Sequence, residues 1–226
     1  MKKLIVLILI ATTFQSCKII SSLSQLNLKK AKVYSYTLFD KDIKYIPMHH
    51  LGKKAFYDDV AQKVKMYKQK GYVVYYESIS THFTDNPKVK DTIRRKVRKI
   101  KGFSGSYKEN APEGFSEKYI PQPDYSELGT DSTDVRADIN YLQFINEWEK
   151  QNGVLTLDST DLNTPFGEPF AKNIEYTNKQ YKAIVVEFRN RYLIDIIKNS
   201  PDNKILILYG KGHQKDFKRQ IKANKT

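Results

Sequence analysis

Residues 204–213 read K-I-L-I-L-Y-G-K-G-H. The unbroken apolar run Ile205 to Tyr209 has no polar alternation, so it predicts a strand covered on both faces, as in the middle of a parallel sheet. Gly210-Lys211-Gly212 then predicts a turn into a last helix ending near Ala223. His213 is thereby placed just past the carboxyl end of a buried strand. Two upstream segments repeat the arrangement. Lys44 to Met48 predicts a short strand running into His49-His50, and residues 72–77 (Y-V-V-Y-Y-E) predict a strand that ends at Glu77. Between them, Phe56, Val60, Val64 and Tyr67 fall on one face of a helix over residues 53–70, with Gly71 as its stop. Strand, helix, strand implies a crossover joining parallel strands, and so an α/β fold.

The remaining pattern is mostly helical. Residues 87–100 predict a helix with the stripe Val89, Ile93, Val97, Ile100. Its other positions are basic, either a solvated face or a surface for anionic lipid. Residues 102–133 predict a long irregular stretch, 134–151 a helix, 153–157 a short strand and 158–177 a second irregular stretch. The clearest helix covers 178–199, with Tyr181, Val185, Phe188, Tyr192 and Ile196 on one face and Pro201 beyond its end.

The chain has 226 residues, of which 40% are hydrophobic and 28% charged, a globular balance rather than a disordered one. No apolar run reaches the roughly 18–20 residues of a spanning helix, which excludes a polytopic membrane protein. A single cysteine excludes an internal disulfide framework and any cysteine-based zinc site. That cysteine follows Lys2 and Lys3, an apolar stretch from Leu4 to Ala11, and Phe14-Gln15-Ser16. A charged tip, a short apolar core and a small residue before the cut form a secretory signal. Cys17 directly after the small residue resembles a bacterial lipobox, in which the cysteine is acylated after cleavage. The expected organisation is a signal peptide at 1–16, a lipidated tether at 17–32 and one domain at 33–226, held on a membrane of the cell envelope through Cys17. The formal charge of +14 then points to anionic lipid headgroups or acidic glycans, not to nucleic acid.

His50, Glu77 and His213 each stand at the carboxyl end of a predicted strand, the rim at which open α/β sheets bind ligands. Arg189 lies at the edge of the apolar face of its helix, where a guanidinium turned inward needs a carboxylate from Glu77 or from a substrate. Two imidazoles and a carboxylate suit a divalent metal such as manganese, cobalt or zinc, with a position left for water. The same residues also suit metal-free catalysis, with imidazole as the base and carboxylate as its orienter. Backbone N–H groups after His213, at a helix start, suit an oxyanion.

At these residues the chain resembles the TraB/GumN/Tiki family, relatives of the erythromycin-esterase and ChaN folds. The first block reads His50-Leu51-Gly52, then a helix containing Phe56-Tyr57-Asp58-Asp59-Val60, then Tyr75-Tyr76-Glu77. The last block reads Arg189-Asn190, an apolar strand, then Gly210-Lys211-Gly212-His213. The resemblance covers about 44–77 and 184–222. It implies a single α/β domain with a central mixed sheet flanked by helices. It also implies a hydrolase of peptide or ester bonds, metal-dependent in some relatives and metal-independent in others. The alternative is a non-catalytic lipoprotein that binds haem, iron or a glycan. Asp138 matches a family acidic position. Pro47 departs from the family's glycine, and His49 competes with His50 as the functional member of the pair.

Overall fold

The computed structural model describes residues 26–102, 118–170 and 174–224. The expected signal segment, Cys17 and most of the expected tether lie outside the described residues. Strands β1 (Tyr34–Leu38), β2 (Lys41–Met48), β4 (Val73–Tyr76), β6 (Val135–Arg136) and β7 (Lys204–Gly210) form one mixed sheet in the order β1-β2-β7-β4-β6. β7 is parallel to both β2 and β4, and only β1 is antiparallel to its neighbour. The strand with the unbroken apolar run is therefore central. Ile205, Ile207 and Tyr209 face one side of it, and Leu206 and Leu208 face the other.

Helix α1 (Lys54–Gln69) covers the second side, laying Phe56, Val60 and Val64 against Ile46, Met48, Val74, Leu206 and Leu208. Helices α6 (Arg189–Asn199) and α7 (Lys211–Ala223) cover the first, through Leu193, Ile194, Ile197, Phe217 and Ile221. A separate helical cluster holds α2 (Pro87–Lys101) and α3 (Tyr141–Asn152) around Ile93, Val97, Phe144, Trp148 and Ile184. A two-residue ribbon, β3 (Leu51–Gly52) with β5 (Ile120–Pro121), lies just after the His49-His50 pair.

The structure departs from the sequence reading at several points, among them the helix expected over 178–199, which a π-helical stretch at Ala183–Phe188 divides, and the stretch 102–133, which contributes β5. β1 was not expected. It reaches β2 through a two-residue turn, Phe39-Asp40, both in the left-handed region at φ 50° and 57°. Packing begins ahead of Val33: Ala31 is buried and its N–H donates to Asp59 Oδ2 at 2.7 Å. The helix expected from residue 134 starts at Tyr141, where Asn140 and Gln143 form a reciprocal cap. Residues 134–140 are instead extended, and β6 pairs with β4. No strand forms at 153–157; a short helix, α4 (Ser159–Asn163), follows that stretch. Finally, four basic residues of α2 are not free for lipid. Arg95 and Arg98 donate to carbonyls of Asp161 and Thr164, Lys99 pairs with Asp158 and Asp161, and Lys96 pairs with Glu149.

Pro47 sits where its missing N–H costs no ladder bond. Leu38 and Lys41 flank the two-residue turn, so odd-numbered residues of β2 direct their backbone groups toward β1. Consistently, Asp42 N–H donates the other way, to Asn203 at 2.8 Å. β1 pairs only as far as Tyr45, so the Pro47 nitrogen faces a position past the end of that strand.

A buried carboxylate–guanidinium–imidazole site at the sheet rim

The carboxyl ends of β2, β4, β6 and β7 point to the same edge of the sheet. Chain order alone therefore brings His49-His50, Glu77, Asp138 and Gly210–His213 to one rim. Asp138 is placed there because the segment after Arg136 stays extended instead of entering a helix. Tyr141 N–H donates to Ser80 and Ala137 N–H to Tyr76, continuing the parallel run beside β4.

Arg189 is the hub. Its Nη2 donates to Glu77 Oε1 and to Asp138 Oδ2, both at 2.6 Å, and its Nε donates to Asp138 Oδ1 at 3.0 Å. The side chain is 4% exposed, so the outward, snorkelling conformation is not adopted. The six residues before it, Ala183–Phe188, form a π-helical stretch between α5 (Asn178–Lys182) and α6. That widened turn is the type of distortion found at functional sites. Arg189 Nη1 donates to the Val185 carbonyl at 3.2 Å within it.

Glu77 is fixed from two sides. Its Oε1 takes Arg189 and its Oε2 accepts the Gly210 N–H at 2.5 Å. Burial alone would raise its pKa. The Arg189 charge, then His213 where its ring is protonated at low pH, and then the Gly210 N–H overcome this and hold it at about 2. The same two carboxylates, opposing the cost of its burial, raise Arg189 well above the ordinary guanidinium value. Gly210 is required by space: a Cβ there would stand 2.9 Å from Glu77 Oε2.

His213 is buried beside this pair, with Nε2 3.6 Å from Glu77 Oε1 and 3.3 Å from Arg189 Nη1. Its tautomer follows from Asn190. The Asn190 Nδ2 donates to the His213 carbonyl at 3.0 Å and to Asp216 Oδ2 at 2.8 Å, so its Oδ1 must be the atom that faces His213 Nδ1 at 3.0 Å. Nδ1 therefore carries the proton, and the lone pair is on Nε2, turned toward Arg189 and Glu77. Burial lowers the His213 pKa to about 4 even with Glu77 pulling the other way, so the ring is neutral near pH 7. Tyr209 closes the floor, its ring edge-on to His213 at 5.0 Å and its hydroxyl donating to the Ala137 carbonyl at 3.0 Å.

The rim histidines differ from one another. His49 packs edge-on against Phe56, its carbonyl accepts the Tyr57 hydroxyl at 2.8 Å, and burial, then Lys211, lowers its pKa to about 4. His50 is exposed at the mouth, its carbonyl accepting Gln122 N–H at 2.9 Å, and partial desolvation lowers its pKa too, with Glu77 opposing. Sequence reading singles out Glu77, Arg189, His213 and Asp138 but misses Asn190 and Asp216 as the groups that orient the imidazole. The Arg189-Asn190 pair stands out as a motif, yet a neutral amide carries no charge signal to mark its role.

The donor set does not fit a resident divalent metal. Among the described residues no group of three or more His, Cys, Asp or Glu side chains is arranged to hold one. The physical reason is Arg189, which already supplies the cation between Glu77 and Asp138. The chain matches no family model, no curated protein and no solved structure.

Proposed function

We propose that the chain is a lipid-anchored hydrolase of the TraB/GumN/Tiki type that cleaves an ester or peptide bond by metal-free acid–base chemistry. The observation that carries this reading is the state of His213: neutral, tautomer fixed, its lone pair beside an ionised Glu77. In the reaction His213 Nε2 takes a proton from water, the hydroxide adds to the substrate carbonyl carbon, and the imidazolium returns the proton to the leaving group. Water competes for Nε2 with the 3.3 Å Arg189 contact, which is at the long end of a hydrogen bond. The imidazolium gains attraction to Glu77 Oε1, which is absent in the neutral ground state and so lowers the barrier. Arg189 keeps Glu77 ionised and aimed. α7 starts without a side-chain cap, leaving first-turn N–H groups for the oxyanion. Cys17 carries the acyl anchor.

The test is hydrolysis of a panel of aryl esters and peptide amides by the native chain, His213→Ala and Glu77→Gln. The expected loss in His213→Ala is roughly 10²–10⁴-fold with the fold retained by circular dichroism. A native chain inert across the panel, or a variant as active as native, ends the reading.

A further inference from the structure

We infer that the rim carrying His50, Glu77 and His213 faces the anionic surface of the bilayer, so that its substrate is borne by the membrane. The inference rests on the Cys17 anchor proposed above.

Three observations converge on it. The first is where the chain enters the domain. Asn27 Oδ1 accepts the Tyr119 hydroxyl at 3.1 Å, and Tyr119 directly precedes β5, the strand paired beside His50. Leu28 packs into the α1 core cluster, and Ala31 is held by Asp59 near the start of the same helix. β1 then runs antiparallel to β2, with Tyr34 opposite Tyr45, so its first residues lie at the carboxyl end of β2. The entry point and the site share one edge of the sheet.

The second is the length of the leash. Eight residues separate Cys17 from Leu26, the first residue described. Fully extended at about 3.3–3.6 Å per residue, nine steps reach about 30 Å, less than the breadth of a domain this size. The end at which the chain enters can therefore reach the bilayer more readily than the opposite end.

The third is charge. Lys29, Lys30, Lys32 and Lys211 are all exposed at this edge, and none has an ion pair among the described residues. Lys32 and Lys211 are close enough that Lys32 helps depress the Lys211 pKa, after burial. Like charges gathered at one rim, with Asp59 acting on Lys30 alone among them, suit a surface of phosphate headgroups. By contrast, Arg95, Lys96, Arg98 and Lys99 of α2 are taken up internally.

The experiment uses the full acylated chain in phosphatidylglycerol-containing vesicles that hold a headgroup acceptor dye. A donor dye is placed on Asp124→Cys, in the segment just after Gln122 that adjoins His50, or on Lys198→Cys, near the opposite end of the sheet. Energy transfer is expected to be higher from the Asp124 position. The difference should be lost when Lys29, Lys30 and Lys32 are changed to Glu together with a long Gly/Ser insertion before Leu26. Equal transfer from the two positions, or higher transfer from Lys198, overturns the orientation. Mass measurement of the N-terminal peptide in the same sample separates the failures. An unacylated Cys17 overturns anchor and orientation together, whereas an acylated chain with equal transfer overturns the orientation alone. Neither readout needs turnover, so the hydrolase reading stands or falls separately.

Discussion

Asn190 grips His213 at both ends: its amide oxygen faces Nδ1 and its amide nitrogen donates to the His213 carbonyl, each at 3.0 Å. The same nitrogen donates to Asp216, which Arg219 and Gln220 hold in place. A chain of hydrogen bonds thus runs from the surface to the imidazole and sets which nitrogen bears the proton.

Replacing Asn190 by Ala removes this control, leaves the buried His213 Nδ1–H without its acceptor and takes one of two donors from Asp216 Oδ2, which keeps Gln220. Stability should fall by about 1–3 kcal/mol, and kcat/KM for any ester the native chain turns over should fall about 10²-fold. Asn190→Asp keeps an acceptor for Nδ1–H but turns its second oxygen toward Asp216 Oδ2 and the His213 carbonyl, so it should hold the tautomer while costing at least as much stability as Asn190→Ala. An Asn190→Ala variant that loses stability but no activity would show that Nε2 does not act as a base.

The pH dependence follows from the buried ring. A free histidine titrates near 6.5, but His213 titrates at about 4 in the folded chain. The base form therefore persists to low pH, and kcat/KM should stay level from pH 8 to about 5, with its acid limb near 4. The unfolded chain binds this proton more readily between pH 6.5 and 4, so the stability is fully present above 6.5 and is lost as pH falls toward 4. The gap corresponds to about 3 kcal/mol, and His213→Asn should flatten that part of the stability curve. His49, also lowered to about 4, adds slope in the same window, and His50, lowered as well, adds to it in the same direction. Glu77 acts lower, its contribution being lost between about pH 4.5 and 2. Urea midpoints measured against pH for native, His213→Asn and Glu77→Gln chains resolve these segments.

Arg189 stands where a metal would. Treating the native chain with a chelator should leave activity unchanged, since no metal is needed to balance Glu77 and Asp138. Arg189→Ala leaves those carboxylates facing each other without a cation and should cost about 3–5 kcal/mol. The same variant should gain affinity for manganese or zinc, visible by calorimetry as binding that the native chain lacks. Stoichiometric metal in native protein, with activity lost on chelation, would contradict the metal-free chemistry.

The sheet and most of the site were legible because burial and function leave different marks. An apolar run such as Ile205 to Tyr209 declares a central strand, and charged residues at strand ends declare a rim. What stayed hidden was set by context. β1 does alternate, Tyr34, Tyr36 and Leu38 against Ser35 and Thr37, but its turn uses Phe39-Asp40 in place of the Asn-Gly expected where φ is positive, so no hairpin signal marks it. Val135, Ala137 and Ile139 stand at every second position, the alternation of a strand, but Ile139 also continues the helical stripe of Leu142, Ile145 and Trp148, and pairing with the edge of β4 decides between the two. Reading them as helix hid the geometry of Asp138, since a helical Asp138 would not reach the guanidinium.

Gly210 provides the most local test of the rim. Its φ is −51°, a conformation alanine adopts without strain, so Gly210→Ala acts only through the added methyl. That methyl would lie 2.9 Å from Glu77 Oε2, and Glu77 must leave the Gly210 N–H to relieve the contact. Overpacking of this kind costs about 1–3 kcal/mol. Without the N–H the carboxylate is less favoured, the Glu77 pKa rises, and the acid limb of stability moves upward in pH. Pairing the change with Glu77→Ala isolates the cause. In that background the methyl meets only His213 Cδ2, at an ordinary contact distance of 3.7 Å, so Gly210→Ala should cost little more, giving a strongly non-additive cycle. Additive losses would show that Gly210 is needed for some reason other than the close approach of Glu77.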